Sequence, residues 1–296
     1  MILTKSWGLT MFANLSKEKI RSLRTELLDD TMEAMTDEML EPKLAIIRAN
    51  LDDAASEIYI RNKVKTCESI GIECEVYSDC YSKEETISLI DTLAERKDIS
   101  GIIVQLPLPE RFDNKGDKRD ILDHIPWYKD VDGLSTESVG RLWTGEECIA
   151  PATACAVAEL ILSVCSYITC GKKVSIINRS DLIGKPLAKL LLDRNMTVEI
   201  LHSHSNRADI RRAFDMSDFV VTGVGNTDLV DYFYDQTIWI DCGIIRDAEG
   251  HVHGDAGALK SSKITPVPYG VGTLTTAHLA CNVVDAACIQ KSLGII

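Results

Sequence analysis

The chain has 296 residues, 45% of them hydrophobic and 26% charged, and its mean hydropathy is zero. This composition excludes collagen-like, low-complexity and disordered classes and fits one large or two ordinary globular domains, able to bury a core without disulfide or metal staples. The formal charge of −13 argues against a scaffold for nucleic acid or another polyanion, and it is unevenly spread: residues 1–150 hold 19 basic and 30 acidic side chains, residues 151–296 hold 13 and 15.

The first predicted element runs from Asn14 to Met35. A Ser-x-Glu cap begins at Ser16, and Ile20, Leu23, Leu27, Leu28 and Met32 follow at helical spacing. Pro42 punctuates, and KLAIIRA (43–49) reads as a buried strand. AASEIYIRNKVKTCESI (54–70) reads as a helix stopped by Gly71, a residue free to turn left-handed. IECEVY (72–77) alternates as a strand, Lys83 to Arg96 forms a helix, and GIIVQLPLP (101–109) is an apolar strand run into a Pro-rich turn. The polar stretch from Arg111 to Gly145, with KDVDG inside it, reads as loop with a short helix. In the second half, strands are predicted at 173–177, 197–201, 218–222 and 237–241. One helix has Pro186 in its first turn, and others occupy 209–214 and 275–290. Repeated β–α alternation implies α/β architecture, with parallel sheets covered by helices and a doubly wound, nucleotide-binding pattern in the second half.

Ten cysteines are scattered, and no two are spaced CxxC. That pattern fits neither a disulfide framework nor a zinc site and points to a reducing compartment. The opening MILTKSWGLTMF lacks a basic region followed by an apolar one, and no apolar run reaches the roughly 18 residues of a membrane span. A cytoplasmic protein without membrane association is expected.

Ligands of open α/β sheets bind beyond the C-terminal strand ends, beside helix N-termini. Three such loops stand out in the second half. NRSDLIGKP (178–186) offers backbone amides, a helix start and the charge of Arg179 to a phosphate. HSHSN (202–206) has no Asp or Glu to bind ribose hydroxyls, so His202 and Ser203 favour a 2′-phosphate and hence NADP over NAD. GVGN (223–226) has two glycines, Gly223 and Gly225, that allow close backbone approach. Glycine-rich turns also arise from turn chemistry alone, and GxGxxG is absent, so spacing leaves both readings open. The pairs His202/His204 and His251/His253 lack Cys or carboxylate partners at helical ligand spacing, and no metal is expected.

In the first half, Tyr59 and Lys63 lie four apart and share a helix face. Gln105 sits in the middle of an apolar strand, where an amide needs a partner, and Asp132 occupies a tight VDG turn. PVPYGVG (266–272) precedes the last helix. A buried Lys beside a neutral amide can lose its proton near neutrality and act as a base.

Five segments in order resemble the methylenetetrahydrofolate dehydrogenase/cyclohydrolase family over nearly the whole chain: AASEIYIRNKVKTCESIGI, GIIVQLPLP, KDVDGL with SVGRL, NRSDLIGKP and ITPVPYGVGTLT. The resemblance implies oxidation of 5,10-methylenetetrahydrofolate with NADP, then hydrolysis of the methenyl product to 10-formyltetrahydrofolate. It also leaves as alternatives a dehydrogenase without the hydrolysis and a non-catalytic nucleotide- or folate-binding relative. It implies Lys63, Gln105, Tyr59 and Asp132 as catalytic residues. Tyr59, Gln105 and Asp132, with Pro268 and Gly270, would bind tetrahydrofolate derivatives. Asn178, Arg179, Ser180, Ile183, Gly184, His202, Ser203, Gly223 and Gly225 would bind NADP. The implied architecture is a folate-binding domain, residues 1–150 with the C-terminal helix 275–296, and a Rossmann-like NAD(P)-binding domain, residues 151–274. A cleft would separate them, in a homodimer. The chain departs from the family at Pro151–Ala156, where Pro-Cys-Thr-Pro is usual. It also departs at Asn178 and Tyr269, both usually Gly, and at Thr273, usually Pro. Asn178 can still adopt left-handed geometry, and Tyr269 would crowd or pack over the folate side.

Overall fold

The computed structural model describes residues 15–296 apart from 52, 79–81, 227–235, 248, 258–260 and 262. The chain divides into two compact units. One comprises Leu23–Ala152 with Leu274–Ile296, the other Thr153–Thr273 with residues 15–22. Residues 15–22, expected with the first unit, group with the second, where the Lys17 ammonium lies 4.6 Å over the Tyr269 ring.

In the first unit, helix α1 (Lys17–Asp37), which begins in the other unit, leads to strand β1 (Lys43–Ile47). Ser16 Oγ accepts from the Lys19 N–H at 3.3 Å, as its cap position requires. Then come α2 (Ala54–Glu68), β2 (Glu73–Tyr77), α3 (Lys83–Glu95) and β3 (Gly101–Val104). Gly71 closes α2 at φ +90°. The sheet is parallel in the order β2-β1-β3. Ile47 pairs with Tyr77 on one side and Val104 on the other, so the strands end at one level.

The run 101–109 is strand only to Val104. Gln105 therefore lies just past the strand rather than within it, although its N–H still donates to Ile47 O at 2.9 Å. Pro107 and Pro109 carry no donor, and the ladder cannot continue through them. The stretch 111–145 holds more helix than its polarity predicts: α4 (Lys115–Asp123), capped by Asn114, and α5 (Thr136–Thr144), capped by Ser135. The last helix, α9 (Val271–Ser292), puts Ala277, Ala280, Val283, Val284 and Ile289 into one cluster with Leu44, Ile46, Ile103 and Val131. Its polar residues reach loop carbonyls. Asn282 Nδ2 donates to Val131 O (2.8 Å) and Ala150 O (2.9 Å), and Gln290 Nε2 to Ser100 O (2.8 Å).

In the second unit, α6 (Ala152–Val164) begins directly after Pro151, so the altered 151–156 segment still starts a helix. β4 (Lys173–Ile177), α7 (Gly184–Leu192), β5 (Thr197–Leu201), α8 (Arg207–Met216), β6 (Phe219–Thr222) and β7 (Ile238–Asp241) follow. A small hairpin, β8 (Ile245–Arg246) and β9 (Val252–His253), was not legible in the sequence because its strands are two residues each. The main sheet is parallel in the order β5-β4-β6-β7. Ile177 pairs with Leu201 and Thr222, and Thr222 with Asp241, so four strand ends again share one level. Trp239, Phe214, Val220 and Ile177 anchor its core.

A charge network ties β1, β2 and the end of α3. Arg96 grips Glu75 with two nitrogens at 2.7 and 3.0 Å and reaches Asp98 at 2.6 Å, while Lys43 lies 3.3 Å from Glu75. The Arg96 guanidinium, then the Tyr77 hydroxyl, hold the Glu75 carboxyl down at about 2. A depressed carboxylate stabilises the fold above its unfolded value of 4.5, and that contribution disappears as pH falls through 2. Glu75→Gln is expected to cost about 1 kcal/mol at neutral pH, given partial exposure. Between pH 4.5 and 2 the gap to the unaltered protein should close. Urea denaturation at stepped pH checks this, and parallel pH profiles for the two proteins would contradict it.

Candidate active site

In a parallel sheet the loops on either side of the first-laid strand diverge, and the crevice between them is the natural ligand position. In the first sheet that strand is β1. Lys63, on α2, donates from Nζ to Gln105 Oε1 at 3.1 Å. Gln105 is 8% exposed, and its Nε2 donates to Leu106 O at 2.7 Å. That second bond orients the amide: the nitrogen must face the carbonyl, which leaves the oxygen for the lysine. Lys63 is half-buried rather than buried, and among the described residues no carboxylate forms an ion pair with it. Asn50 Nδ2 bridges the loops after β1 and β3 by donating to Leu108 O at 3.4 Å.

Tyr59, half-buried, lies one turn before Lys63 on α2. One turn after it, Cys67 is fully buried. The hydrogen bond with Cys74, then burial, push the Cys67 thiol far above its usual range, so it stays protonated and is no nucleophile.

Asp132 sits in a separate turn and shares no described hydrogen bond with Lys63 or Gln105. The turn itself is firmly built. Buried Asp130 accepts from the Ser135 N–H at 2.8 Å, and burial pushes its carboxyl up. Gly133 has φ +63°, and a Cβ there would meet Ile149 O at 2.6 Å. The neighbouring Lys129 is 1% exposed. It donates to Ala94 O (2.8 Å) and Arg96 O (2.6 Å) at the end of α3, and burial brings its ammonium down to about 8. Lys129 and Asn282 were not legible in the sequence because their partners are distant in the chain, whereas Asp130 bonds only five residues on but gives no sign of its burial.

In the second sheet the first-laid strand is β4, and the loop after it meets the loop after β6. Asn178 makes the junction: Nδ2 donates to Gly223 O at 2.6 Å, and Oδ1 accepts from Ser180 N (2.8 Å) and Gly184 N (3.2 Å). Its φ is not positive, so the side chain, not left-handed backbone, is what asparagine supplies here. Ser180 Oγ caps the next turn by accepting from Ile183 N at 3.1 Å. Gly184 starts α7 so tightly that a Cβ would lie 2.0 Å from Asn178 O. Gly225 has φ +68° and open space where a Cβ would stand.

Arg179 and Ser203 are both exposed, each two residues past the paired strand ends Ile177 and Leu201. The His204 N–H donates to His202 Nδ1 at 3.2 Å, holding that loop's turn. These loops fit a dinucleotide: a glycine-tight helix start, an exposed arginine, and no carboxylate among residues 202–206.

Pro268 and Gly270 belong to this second unit. A Cβ at Gly270 would lie 2.2 Å from Pro266 O. Tyr269 holds φ +80° and is 55% exposed, its ring under the Lys17 ammonium. His251, with Asp247 and Glu249, brings three ligand-type atoms within 4.8 Å, so it does have carboxylate neighbours, across a turn rather than along a helix. The group is largely exposed, and the His251 N–H donates to Asp247 at 2.7 Å, which is ordinary turn bonding.

These features define a two-unit α/β enzyme with a lysine–amide pair in one unit and a dinucleotide cradle in the other. The chain belongs to the tetrahydrofolate dehydrogenase/cyclohydrolase family. The model of the family's catalytic domain matches residues 15–132, and that of its NAD(P)-binding domain residues 151–291. The bifunctional protein FolD of Moorella thermoacetica is 39% identical over 260 residues, 84% of this chain and 89% of that one. The bifunctional dehydrogenase/cyclohydrolase of Thermoplasma acidophilum superposes with a TM-score of 0.81 at 34% identity, over 94% of this chain and 99% of the other. The Trypanosoma brucei enzyme, solved with NADP cofactor and an inhibitor, gives 0.79 at 27% identity, over 96% and 98%.

Gly184→Ala would drive a methyl group into backbone that cannot yield. It is expected to cost about 3 kcal/mol or more and to weaken dinucleotide binding. Thermal denaturation checks it; a loss below about 1 kcal/mol would mean the 178–184 loop shifts freely.

Proposed function

We propose that this protein oxidises 5,10-methylenetetrahydrofolate to the methenyl form with NADP and hydrolyses that product to 10-formyltetrahydrofolate. Family membership supports both activities, and one observation carries the assignment of the chemistry: Lys63 Nζ bonded to Gln105 Oε1 at the crevice of the first sheet.

The two steps ask for different things. Hydride leaves a carbon flanked by two nitrogens whose lone pairs stabilise the cation, so that step needs positioning above all. NADP, when bound, supplies the hydride acceptor. Adding water to the methenyl carbon releases a proton, and opening the ring requires one at nitrogen. An amine facing a neutral amide oxygen, not a carboxylate, can hold that proton at Nζ and pass it on. Gln105 orients Lys63. Tyr59 flanks the folate ring, Asp132 accepts from the pterin amino and ring N–H groups, and Pro268 and Gly270 line the substrate. Arg179 and Ser203 meet the 2′-phosphate. Asn178, Ser180, Ile183 and Gly184 form the loop and helix start beneath the phosphates, with His202, Gly223 and Gly225 on the adjoining loops. The unit holding Lys63 is the folate domain and the unit holding Arg179 the NADP domain, in a cytoplasmic homodimer.

A paired assay of both activities with both dinucleotides tests this reading, and absence of turnover with NADP and NAD alike would end it. Lys63→Met should abolish methenyl hydrolysis while weakening hydride transfer less; equal loss of both would make Lys63 a binding residue. Arg179→Ala should raise KM for NADP about tenfold, the loss of one charge-assisted contact, and leave KM for NAD nearly unchanged. Equal effects would remove the 2′-phosphate assignment.

A further inference from the structure

Two carboxylates at the end of β7 take no part in the proposed chemistry and are almost wholly out of solvent: Asp241 is 2% exposed and Asp255 0%. Asp241 closes the strand. Its Oδ1 accepts from the N–H of Gly243 (2.8 Å) and Asp255 (3.1 Å), and its Oδ2 from that of Ala256 (2.8 Å). These bonds fasten the segment after β9 to the end of β7. Asp255, fixed there by its backbone, engages the neighbouring loop. Its Oδ2 accepts from Val224 N at 2.8 Å and its Oδ1 from Asn226 N at 3.0 Å. The chain closes tightly on both groups. A Cβ at Gly243 would lie 2.4 Å from Asp255 Oδ1, and one at Gly254 would lie 2.2 Å from Asp241 Oδ2.

Loop 223–226 is thus gripped from two sides, by Asn178 at the Gly223 carbonyl and by Asp255 at the amides of Val224 and Asn226. Between those two amides stands Gly225, uncovered. A loop with two glycines has many conformations to choose from, and a buried carboxylate spanning amides two residues apart selects one of them.

We propose that Asp255, itself positioned by Asp241, is a positioning residue for the dinucleotide: it presets the course of loop 223–226 so that its exposed backbone receives the cofactor without reordering. This inference rests on reading that loop as part of the NADP site. It concerns binding, so its signature is dinucleotide affinity set apart from folate affinity and turnover.

The test uses the full-length protein with Asp255→Asn, which keeps the volume and one acceptor, and Asp255→Ala, which keeps neither. NADPH affinity is measured by fluorescence titration, KM for NADP and for the folate substrate together with kcat in the assay, and exchange of the 223–226 amides by hydrogen–deuterium exchange. Kd for NADPH is expected to rise about tenfold in Asp255→Ala and about threefold in Asp255→Asn. KM for the folate and kcat at saturation should stay within about twofold of the unaltered protein, and exchange at Val224 and Asn226 should quicken without ligand. Should Asp255→Ala fail to fold, the Asn variant carries the test. Unchanged Kd in the variants, or equal losses in NADPH affinity, folate KM and kcat, would overturn the inference while leaving the NADP site standing. Failure of the unaltered protein to bind NADPH would overturn that reading too.

Discussion

The structure depends on a constraint that parallel sheets impose: strands in register end together, and every chain leaving them must find partners for its first backbone groups on one crowded edge. In the second sheet Ile177, Leu201, Thr222 and Asp241 mark that edge. In the first, Ile47, Tyr77 and Val104 do. Beside the central strand the loops part, and side-chain amides span the gap. Asn178 does so in one unit and Asn50 in the other, while Gln105 turns the same kind of group toward a lysine. An amide suits the task because it donates and accepts at once and brings no net charge with it.

Carboxylates are used differently. Asp130, Asp241 and Asp255 are buried and bound to backbone N–H groups, while Glu75 and Asp98 neutralise Arg96 and Lys43. The excess of acid in the first 150 residues therefore says little about substrate. Part of it is framework and part lies on exposed faces of helices such as α1 and α4. Asp132 lies half-buried on a turn that Asp130 and Asn282 hold. Burial gives each framework aspartate an energetic cost, offset only while its amide partners stay in place. Such groups tie loop shape to the integrity of the fold.

What could be read in advance was whatever has a period or a local partner. Tyr59 and Lys63 shared a face because four residues make about one turn, and Ser16 and Gly71 announced a start and a stop. Gln105 was conspicuous as an amide in an apolar run, and its partner followed even though the strand ended one residue sooner. Helices α4 and α5 were harder, since KGDKRDILD is mostly charged and only Asn114 signals the start. Least legible were Asn282, Lys129 and Asp255. Their bonds cross 151, 35 and 31 residues respectively, and an aspartate in a Gly-Asp-Ala-Gly run reads as an exposed turn until the fold buries it.

The two places where glycine is the family's habit show how local geometry is kept by different means. At 178 the position does not need left-handed backbone, so asparagine enters without strain and its side chain gains three hydrogen bonds. At 269 the left-handed turn remains, at φ +80°, and tyrosine occupies a region that bulky residues avoid at a cost of about 1–2 kcal/mol. The Lys17 ammonium over its ring returns part of that cost, about 0.5–1 kcal/mol at an exposed site. The turn is therefore held against its own side chain by what flanks it. Gly270 packs on the Pro266 carbonyl, and α9 begins one residue later. A backbone fixed that firmly by its neighbours is the same device seen at Gly184 and at loop 223–226: the course of each turn is set by contacts behind it, and side chains at the front can change without moving the frame.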